Sequence, residues 1–284
     1  MHLSTRNPRI IELGNPSSRR ETTVFYGSLD PFGKKFSTDL DRNRKEMAFL
    51  SSRLRESEKP TLRVLQVGIG NTFVGETVNI LDALERTGKS YELVCMDSNL
   101  GVVLHHALQD EFKAEGAHYH LLELPPEELR KLIRSLACVE NIRETRTPDE
   151  LGIYMDVFNG VRLVDFQFDI PQRILDRITY LIGDIARDSI PAELLGNGFD
   201  AMVCLHTLYH IDDLTAVQSA VQNLIRYLSA HGLLAIDTGK GRLHTLYDLC
   251  LEELPNMHRV FGPNKGNGGL TDDYFVFEAT ESSV

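Results

Sequence analysis

The stretch Thr61–Asn99, TLRVLQVGIGNTFVGETVNILDALERTGKSYELVCMDSN, decides the fold of this chain. An apolar run rich in β-branched residues at 62–67 predicts a strand, and Gly68-Ile69-Gly70 then allows a tight turn that a ligand can approach closely. Apolar residues at helical spacing follow, and a second apolar strand, 93–96, ends in Asp97. Strand, glycine turn, helix, strand and acid form half of a nucleotide-binding α/β unit, in which the acid accepts hydrogen bonds from ribose hydroxyls.

The glycine turn departs from the dinucleotide fingerprint. The third glycine is missing near 71–73, and the next glycine is Gly75. A wider turn suits an adenosine-containing ligand that has no pyrophosphate to place on the helix N-terminus. S-adenosylmethionine (SAM), with an adenosine, a sulfonium and an amino-acid end, is therefore the favoured cofactor. A nicotinamide or flavin dinucleotide and a purely structural turn are the alternatives.

Composition limits the partners and the compartment. The 284 residues carry a net charge of -11 without a basic stripe, which argues against a nucleic-acid binder. The four cysteines lie far apart, so neither a zinc site nor a disulfide framework is predicted, and a reducing cytoplasm is the expected compartment. Neither a signal peptide nor a membrane span is predicted. The sequence leaves the oligomeric state open.

The remaining core elements predict an α/β fold. Further strands are predicted at 178–182, 199–205 and 233–236, with a turn at 229–232, and two short strands at 257–261 and 274–279 can form a hairpin. Helices are predicted at 39–56, 100–112, 212–228 and about 243–254. The helix at 100–112 should place Val103, Leu104, Ala107 and Leu108 inward, and Asp212 should cap the helix at 212–228. The result is a Rossmann-like, doubly wound, mostly parallel sheet with a terminal antiparallel hairpin.

Two further segments can form a cap over the site. Residues 1–58 are predicted as an N-terminal arm, an aromatic-rich segment at 22–36 and a helix, and 59–284 as the binding domain. Residues 1–20 should form an arm or loop, and the aromatic segment either fills an apolar groove or acts as a lid. An insertion at about 118–176, between core strands 2 and 3, contains a helix that begins at two prolines, a charged loop and an alternating strand.

An ordered set of motifs resembles the class I SAM-dependent methyltransferases. The motifs are VLQVGIGN (64–71), LVCMDSN (93–99), ITYLIGDI (178–185) and FDAMVCLHTLYHI (199–211). Within that superfamily the chain most resembles the chemotaxis receptor methyltransferases (CheR-type), through Gly75-Glu76 and through TVFYG at 23–27. The arginine of the family's T-x-F-F-R segment is Gly27 here, and its Arg-Asn pair is His206-Thr207. The resemblance therefore implies the SAM site more strongly than a receptor-glutamate substrate.

The resemblance and side-chain chemistry imply the same cofactor contacts. Gly68 and Gly70 would present backbone groups to the methionine end, and Glu76 would hold the α-ammonium through a charge-assisted hydrogen bond. Asp97 would accept from the ribose hydroxyls and Asp184 from the adenine amino group. The alternatives are a solvated helix glutamate for Glu76, a strand-end or helix-cap aspartate for Asp97, and an aspartate that caps the next helix for Asp184. The complete predicted cofactor-binding set is Gly68, Gly70, Glu76, Asp97, Ser98, Asp184, Ile185 and Leu205.

The predicted catalytic residues are Tyr209, His210 and Tyr26. Tyr209 and His210 follow the fourth strand, where ligands collect in open α/β sheets. Methyl transfer depends mainly on alignment of the acceptor with the S–CH3 bond, and a base is needed only for a protonated acceptor. Packing or capping is the alternative role for Tyr209 and His210. No metal site is predicted at His105, His106, His118 or His120, because no carboxylate spacing supports one.

Three functions agree with these observations. The first is a SAM-dependent methyltransferase that acts on a small molecule or a carboxylate. The second is a SAM-using enzyme whose acceptor attacks the aminobutyryl chain instead of the methyl group. The third is a module that binds SAM without turnover. Loss of the family arginine disfavours methylation of a protein glutamate.

Overall fold

The computed structural model describes residues 7–14, 40, 43–70, 75–108, 112–115, 126–146, 164–205, 207–208, 211, 213–237, 257–262 and 274–280. The strands in these ranges are β1 (Arg9–Glu12), β2 (Thr61–Val67), β3 (Ser90–Asp97), β4 (Phe112–Glu115), β5 (Glu140–Arg146), β6 (Val164–Asp169), β7 (Ile178–Ile182), β8 (Phe199–Cys204), β9 (Leu228–Asp237), β10 (Met257–Phe261) and β11 (Tyr274–Ala279). The helices are α1 (Arg44–Glu56), α2 (Glu76–Glu85), α3 (Leu100–Ala107), α4 (Pro126–Ser135), α5 (Gln172–Leu175), α6 (Ala192–Leu195) and α7 (Leu214–Arg226). The helix predicted at 243–254 lies outside the described residues.

Among the described residues, an eight-stranded sheet forms the centre of the fold, in the order β1-β7-β3-β2-β8-β9-β11-β10. All its pairs are parallel except those of β11 with β9 and with β10. From β2 the chain moves outward through β3 to β7, and then returns to the other side of β2 as β8 and β9. This arrangement is the doubly wound, Rossmann-like sheet that the sequence predicts, with its topological switch point between β2 and β8.

Alternating residues of each strand divide the core between the two faces of the sheet. We call the face covered by α1, α2, α3 and α4 the α2 face, and that covered by α6 and α7 the α7 face. On the α2 face, strand residues such as Val64 and Leu93 pack with Leu81 of α2. On the α7 face, Leu65 packs with Leu224 of α7. Burial on both faces explains why these parallel strands are almost continuously apolar.

The N-terminal segment contributes a strand that the sequence prediction misses. The expectation of an arm or loop is wrong for residues 9–12, since β1 pairs in parallel with β7, from Arg9 opposite Thr179 to Glu12 opposite Ile182. Ile10 packs toward the α2 face and Ile11 toward the α7 face. The short strand extends the sheet beyond β7 and supplies partners for backbone groups that an edge strand would expose.

The chain after β3 also differs from the prediction. Helix α3 ends at Ala107, and Phe112–Glu115 is strand β4 of a second sheet, in the order β4-β6-β5. Val103 and Ala107 are buried as predicted, but the prediction is wrong for Leu104 and Leu108, which are 37% and 47% exposed. The buried side of α3 is formed by Val103, His106 and Ala107.

A strand replaces part of the charged loop predicted in the insertion. Strand β5 pairs antiparallel with β6, and Arg143 contacts Asp169 of that strand at 2.8 Å between Nη2 and Oδ2. Charged residues are tolerated because β5 is an edge strand, and Arg143 and Glu144 are exposed. The predicted start of the preceding helix at the two prolines is confirmed by α4.

Two smaller differences concern α7 and β9. The N-cap of α7 is Asp213, not Asp212, and its carboxylate accepts from the Thr215 backbone N–H at 3.0 Å. Strand β9 includes the turn predicted at 229–232, where the pairing with β8 shifts register and His231 has φ 60°.

None of the helices within the described ranges is long and apolar enough to cross a membrane.

Candidate functional site

The glycine turn lies at the switch point, directly after β2. Gly68 and Gly70 have φ of 75° and 68°, in the left-handed region that favours glycine. A Cβ on Gly68 would lie 1.9 Å from Thr207 Oγ1, and that hydroxyl donates to the Val67 carbonyl at 3.0 Å. A side chain at position 68 is therefore excluded both by backbone conformation and by the Thr207 contact. Sequence reasoning noted Thr207 as a departure from the family motif and missed this structural role.

Asp97 ends β3 beside the glycine turn. The Asn99 backbone N–H donates to Asp97 Oδ1 at 2.9 Å. Burial raises the pKa of Asp97 to about 6, while hydrogen bonds from the backbone N–H groups of Asn99, Ile69, Ser98 and Gly70 act in the opposite direction. Because two of these donors belong to the glycine turn, the carboxylate lies against it. Strand β3 ends at Asp97 as the sequence predicts, and the residue as a whole is partly exposed, while its carboxylate is enclosed by these backbone donors.

Glu76 is the first residue of α2, and it is only 6% exposed. This excludes the solvated helix glutamate as an alternative. Its Oε1 accepts from Gln66 Nε2 at 3.3 Å. Burial first, and then the Glu76 charge, raises the pKa of the thiol of Cys95, which lies two residues before Asp97 on β3. A second buried carboxylate thus lies near the same edge of the sheet as Asp97.

A buried chain of polar side chains continues from Glu76 across the α2 face. The Thr77 hydroxyl donates to Gln66 Oε1 at 2.8 Å and contacts His106 Nε2 at 3.2 Å. His106 Nδ1 lies 3.4 Å from the Tyr180 hydroxyl, and the two rings meet edge to face at 5.8 Å. Sequence reasoning missed Gln66, Thr77 and Tyr180 and considered His106 only as a metal ligand. A glutamine inside an apolar strand was the available signal.

The other predicted cofactor residues lie along the same edge. Asp184 follows β7, and its Oδ1 accepts from the Ala186 backbone N–H at 2.9 Å, within a turn. The predicted alternative of a cap on the next helix is wrong, because that helix, α6, begins at Ala192 and its N-cap is Pro191. Ile185 and Leu205 are buried, and Ser98 is partly exposed. Asp237, which the sequence prediction omitted, ends β9 at this edge, fully buried.

The predicted catalytic residues Tyr26, Tyr209 and His210 lie outside the described residues, as do the aromatic segment at 22–36 and the histidines at 118 and 120. Their roles stay predictions. Among the described ranges, no group of three or more His, Cys, Asp and Glu side chains could hold a metal ion.

No protein-family model and no curated protein matches this chain. Similar solved structures include N-methyltransferase NodS from Bradyrhizobium japonicum WM9 with S-adenosyl-L-homocysteine (14% identity, 84% of this chain and 87% of that chain covered, TM-score 0.42). Another is a putative rRNA-methylase from Clostridium thermocellum, with 9% identity, 82% of this chain and 95% of that chain covered, and a TM-score of 0.45. A third is magnesium protoporphyrin IX methyltransferase (ChlM) from Synechocystis PCC 6803 with bound SAM, with 9% identity, 84% of this chain and 79% of that chain covered, and a TM-score of 0.42. These values are too low for the likeness to carry an argument about activity, substrate or family.

Proposed function

We propose that the protein binds SAM at the carboxyl ends of β2 and β3 and is a methyltransferase that acts on a small-molecule or carboxylate acceptor. The observation that carries the proposal is the buried carboxylate of Glu76 at the first residue of α2. The proposal rests on this chain's own geometry and on the motif resemblance, in which Glu76 has a counterpart.

Glu76 distinguishes between the two classes of adenosine cofactor. In a dinucleotide-binding unit, the pyrophosphate binds at the N-terminus of the first crossover helix, where backbone N–H groups and the helix dipole attract anions. Here that helix begins with a buried carboxylate, which would repel a pyrophosphate. The same carboxylate favours a cation, and the α-ammonium of SAM can supply a charge-assisted hydrogen bond.

Asp97 would bind the other half of the cofactor. Its carboxylate lies one strand away from β2, against the glycine turn, and the residue as a whole is partly exposed at the sheet edge. Two ribose hydroxyls can donate to one ionised carboxylate. In the proposal Asp97 holds the ribose, and Ser98, Asp184, Ile185 and Leu205 surround the adenosine. Gly68 and Gly70 allow the methionine end to approach the backbone.

The acceptor side of the proposal involves Tyr26, Tyr209 and His210 as catalytic residues. The aromatic segment at 22–36 and the insertion at about 118–176 would form a cap that excludes water from the reacting methyl group. Contacts between the described part of the insertion and α2 attach the insertion to the α2 face. The Ala137 backbone N–H donates to Asp82 Oδ1 at 2.6 Å, and the Cys138 thiol donates to the Val78 carbonyl at 3.5 Å. An enclosed site favours a small acceptor.

Calorimetry with SAM, S-adenosylhomocysteine (SAH) and NAD tests the cofactor. We expect both adenosyl compounds to bind and NAD to give no heat. SAH at a hundredfold excess over its Kd should raise the free energy of unfolding by about 2.7 kcal/mol. A response to NAD alone would contradict the proposal.

Product analysis tests the reaction type. The protein is incubated with SAM and a panel of amines, hydroxyl compounds and carboxylates, and the nucleoside product is identified. Methyl transfer releases SAH, whereas transfer of the aminobutyryl group releases 5′-methylthioadenosine. We expect SAH, and 5′-methylthioadenosine as the main product would replace the proposed reaction with the second one.

A further inference from the structure

The polar chain on the α2 face is built from one row of strand residues and two helix residues above it. Gln66 of β2 lies opposite Cys95 of β3, and Cys95 lies opposite Tyr180 of β7. Thr77 of α2 and His106 of α3 connect the two ends of this row. The Cys95 thiol also faces Gln66, with Sγ 3.7 Å from Oε1. All five side chains are buried.

The contacts impose one direction on the hydrogen bonds when the imidazole is neutral. The Thr77 hydroxyl donates to Gln66 Oε1, so toward His106 it must accept, and His106 Nε2 carries the proton. Nδ1 of that tautomer accepts, and the Tyr180 hydroxyl donates to it. The donors therefore run from Tyr180 through His106, Thr77 and Gln66 to the Glu76 carboxylate.

The Glu76 carboxylate fixes the amide of Gln66. Because an ionised carboxylate only accepts, the Gln66 amide presents its N–H group to Glu76 Oε1, and Gln66 Oε1 is left to accept from the Thr77 hydroxyl. The opposite flip would place the amide oxygen against a buried carboxylate. Hydrogen bonds that follow one another in a low-dielectric interior strengthen each other. Each donor thus favours one orientation of the Glu76 carboxylate.

We propose that Thr77, His106 and Tyr180 are positioning residues that act through Gln66 to hold the Glu76 carboxylate in the orientation that binds the amino-acid end of the cofactor. The inference rests on the proposed function, and it assigns the affinity for one half of the ligand to residues that do not touch the ligand. Binding of the adenosine half at Asp97 does not depend on the polar chain of Thr77, His106 and Tyr180.

The experiment compares two ligands that share adenosine and a thioether. SAH carries the aminobutyrate, whereas 5′-methylthioadenosine has a methyl group in its place. Calorimetry measures the Kd of each for the wild type, Thr77→Val, Thr77→Ser and Tyr180→Phe. Thr77→Val keeps the side-chain shape and removes the hydroxyl, while Thr77→Ser keeps the hydroxyl and is the matched control. Tyr180→Phe removes the hydroxyl that contacts His106, at the far end of the row of hydrogen bonds, and keeps the aromatic ring.

We expect Thr77→Val to raise the Kd for SAH about five- to tenfold, which corresponds to the loss of one ordinary hydrogen bond. The Kd for 5′-methylthioadenosine should change less than about twofold. Thr77→Ser should restore SAH affinity, and Tyr180→Phe should weaken SAH by a smaller factor. Equal weakening of both ligands by Thr77→Val would mean general damage and would overturn the inference. Unchanged SAH affinity in Thr77→Val would overturn it as well. A wild type that binds neither compound would overturn the proposed function, and the inference with it.

Discussion

Two adjacent rows of residues, on opposite faces of the same three strands, differ in chemistry. The row on the α2 face is Gln66, Cys95 and Tyr180, and the next row, on the α7 face, is Val67, Met96 and Leu181. Both rows are buried. Buried polar groups cost free energy unless they are hydrogen-bonded, and the α2 face meets this cost with a continuous chain that ends on Glu76. The α7 face stabilises the sheet, and the α2 face also shapes the site.

The largest expected effect comes from removing apolar contacts on the α7 face. Leu224 of α7 is fully buried there, and Leu224→Ala should lower the free energy of unfolding by about 2–5 kcal/mol, measured by urea denaturation. The Kd for SAH should stay unchanged under conditions where the variant is folded. Ile225→Ala, at a partly buried neighbour, is the control and should cost less. A specific loss of SAH affinity in Leu224→Ala would show that the two faces do not divide the roles.

Asp97→Asn should produce the opposite result, with binding lost and the fold kept. Replacing the carboxylate removes charge-assisted hydrogen bonds to the ribose, which are worth about 1.5–3 kcal/mol. Because both ligands contain the ribose, the Kd values for SAH and 5′-methylthioadenosine should rise together, by about ten- to a hundredfold in calorimetry. Binding equal to that of the wild type would reduce Asp97 to a strand-end cap.

A smaller effect is expected from pH. The pKa of Asp97 is raised to about 6 by burial, so the protonated form gains population as the pH falls through that value. If the ribose binds the carboxylate, the Kd for SAH should rise about tenfold between about pH 7.5 and pH 5, because each unit below the pKa removes a factor of ten of the ionised form. Asp97→Asn should abolish this dependence. A wild-type Kd that does not vary with pH would argue against ribose binding by an ionised Asp97.

The raised pKa also affects stability, with a defined sign. In the folded protein Asp97 holds its proton more strongly than its ordinary pKa of 3.8 implies. Its contribution to stability is therefore fully present below about pH 4 and is lost as the pH rises through about 6. Relative to Asp97→Asn, which does not titrate, the wild type should therefore lose stability as the pH rises from about 4 to 7, as thermal unfolding of both proteins can measure, and a stability difference that does not vary with pH would contradict this sign.

The sequence predicted the parts of the fold whose signals are local. Strands β2, β3, β7 and β8 are short apolar runs, the glycine turn follows the first of them, and Asp97 closes the second. Periodicity and punctuation of this kind depend on neighbours along the chain. The edge location of Gly68, Asp97, Asp184 and Leu205 follows from parallel strand order, which the alternation of strands and helices implies.

What the sequence did not predict depends on distant contacts. Strand β1 is a strand because β7 offers an edge, and β5 is a strand because β6 pairs with it. The polar chain joins residues from β2, α2, α3 and β7, and its longest step, from His106 to Tyr180, spans 74 positions. A threonine or histidine in a helix gives no local sign of such a partner.

The central claim is that the Glu76 carboxylate binds the cofactor's α-ammonium, and a double-mutant cycle tests it most directly. Calorimetry of the wild type and Glu76→Gln is performed with SAH and with an analogue that lacks only the α-amino group. We predict that Glu76→Gln raises the Kd for SAH about ten- to a hundredfold and changes the Kd for the analogue less than about twofold. The difference corresponds to a coupling free energy of about 1.5–3 kcal/mol. Equal weakening of both ligands, with a coupling near zero, would contradict the account.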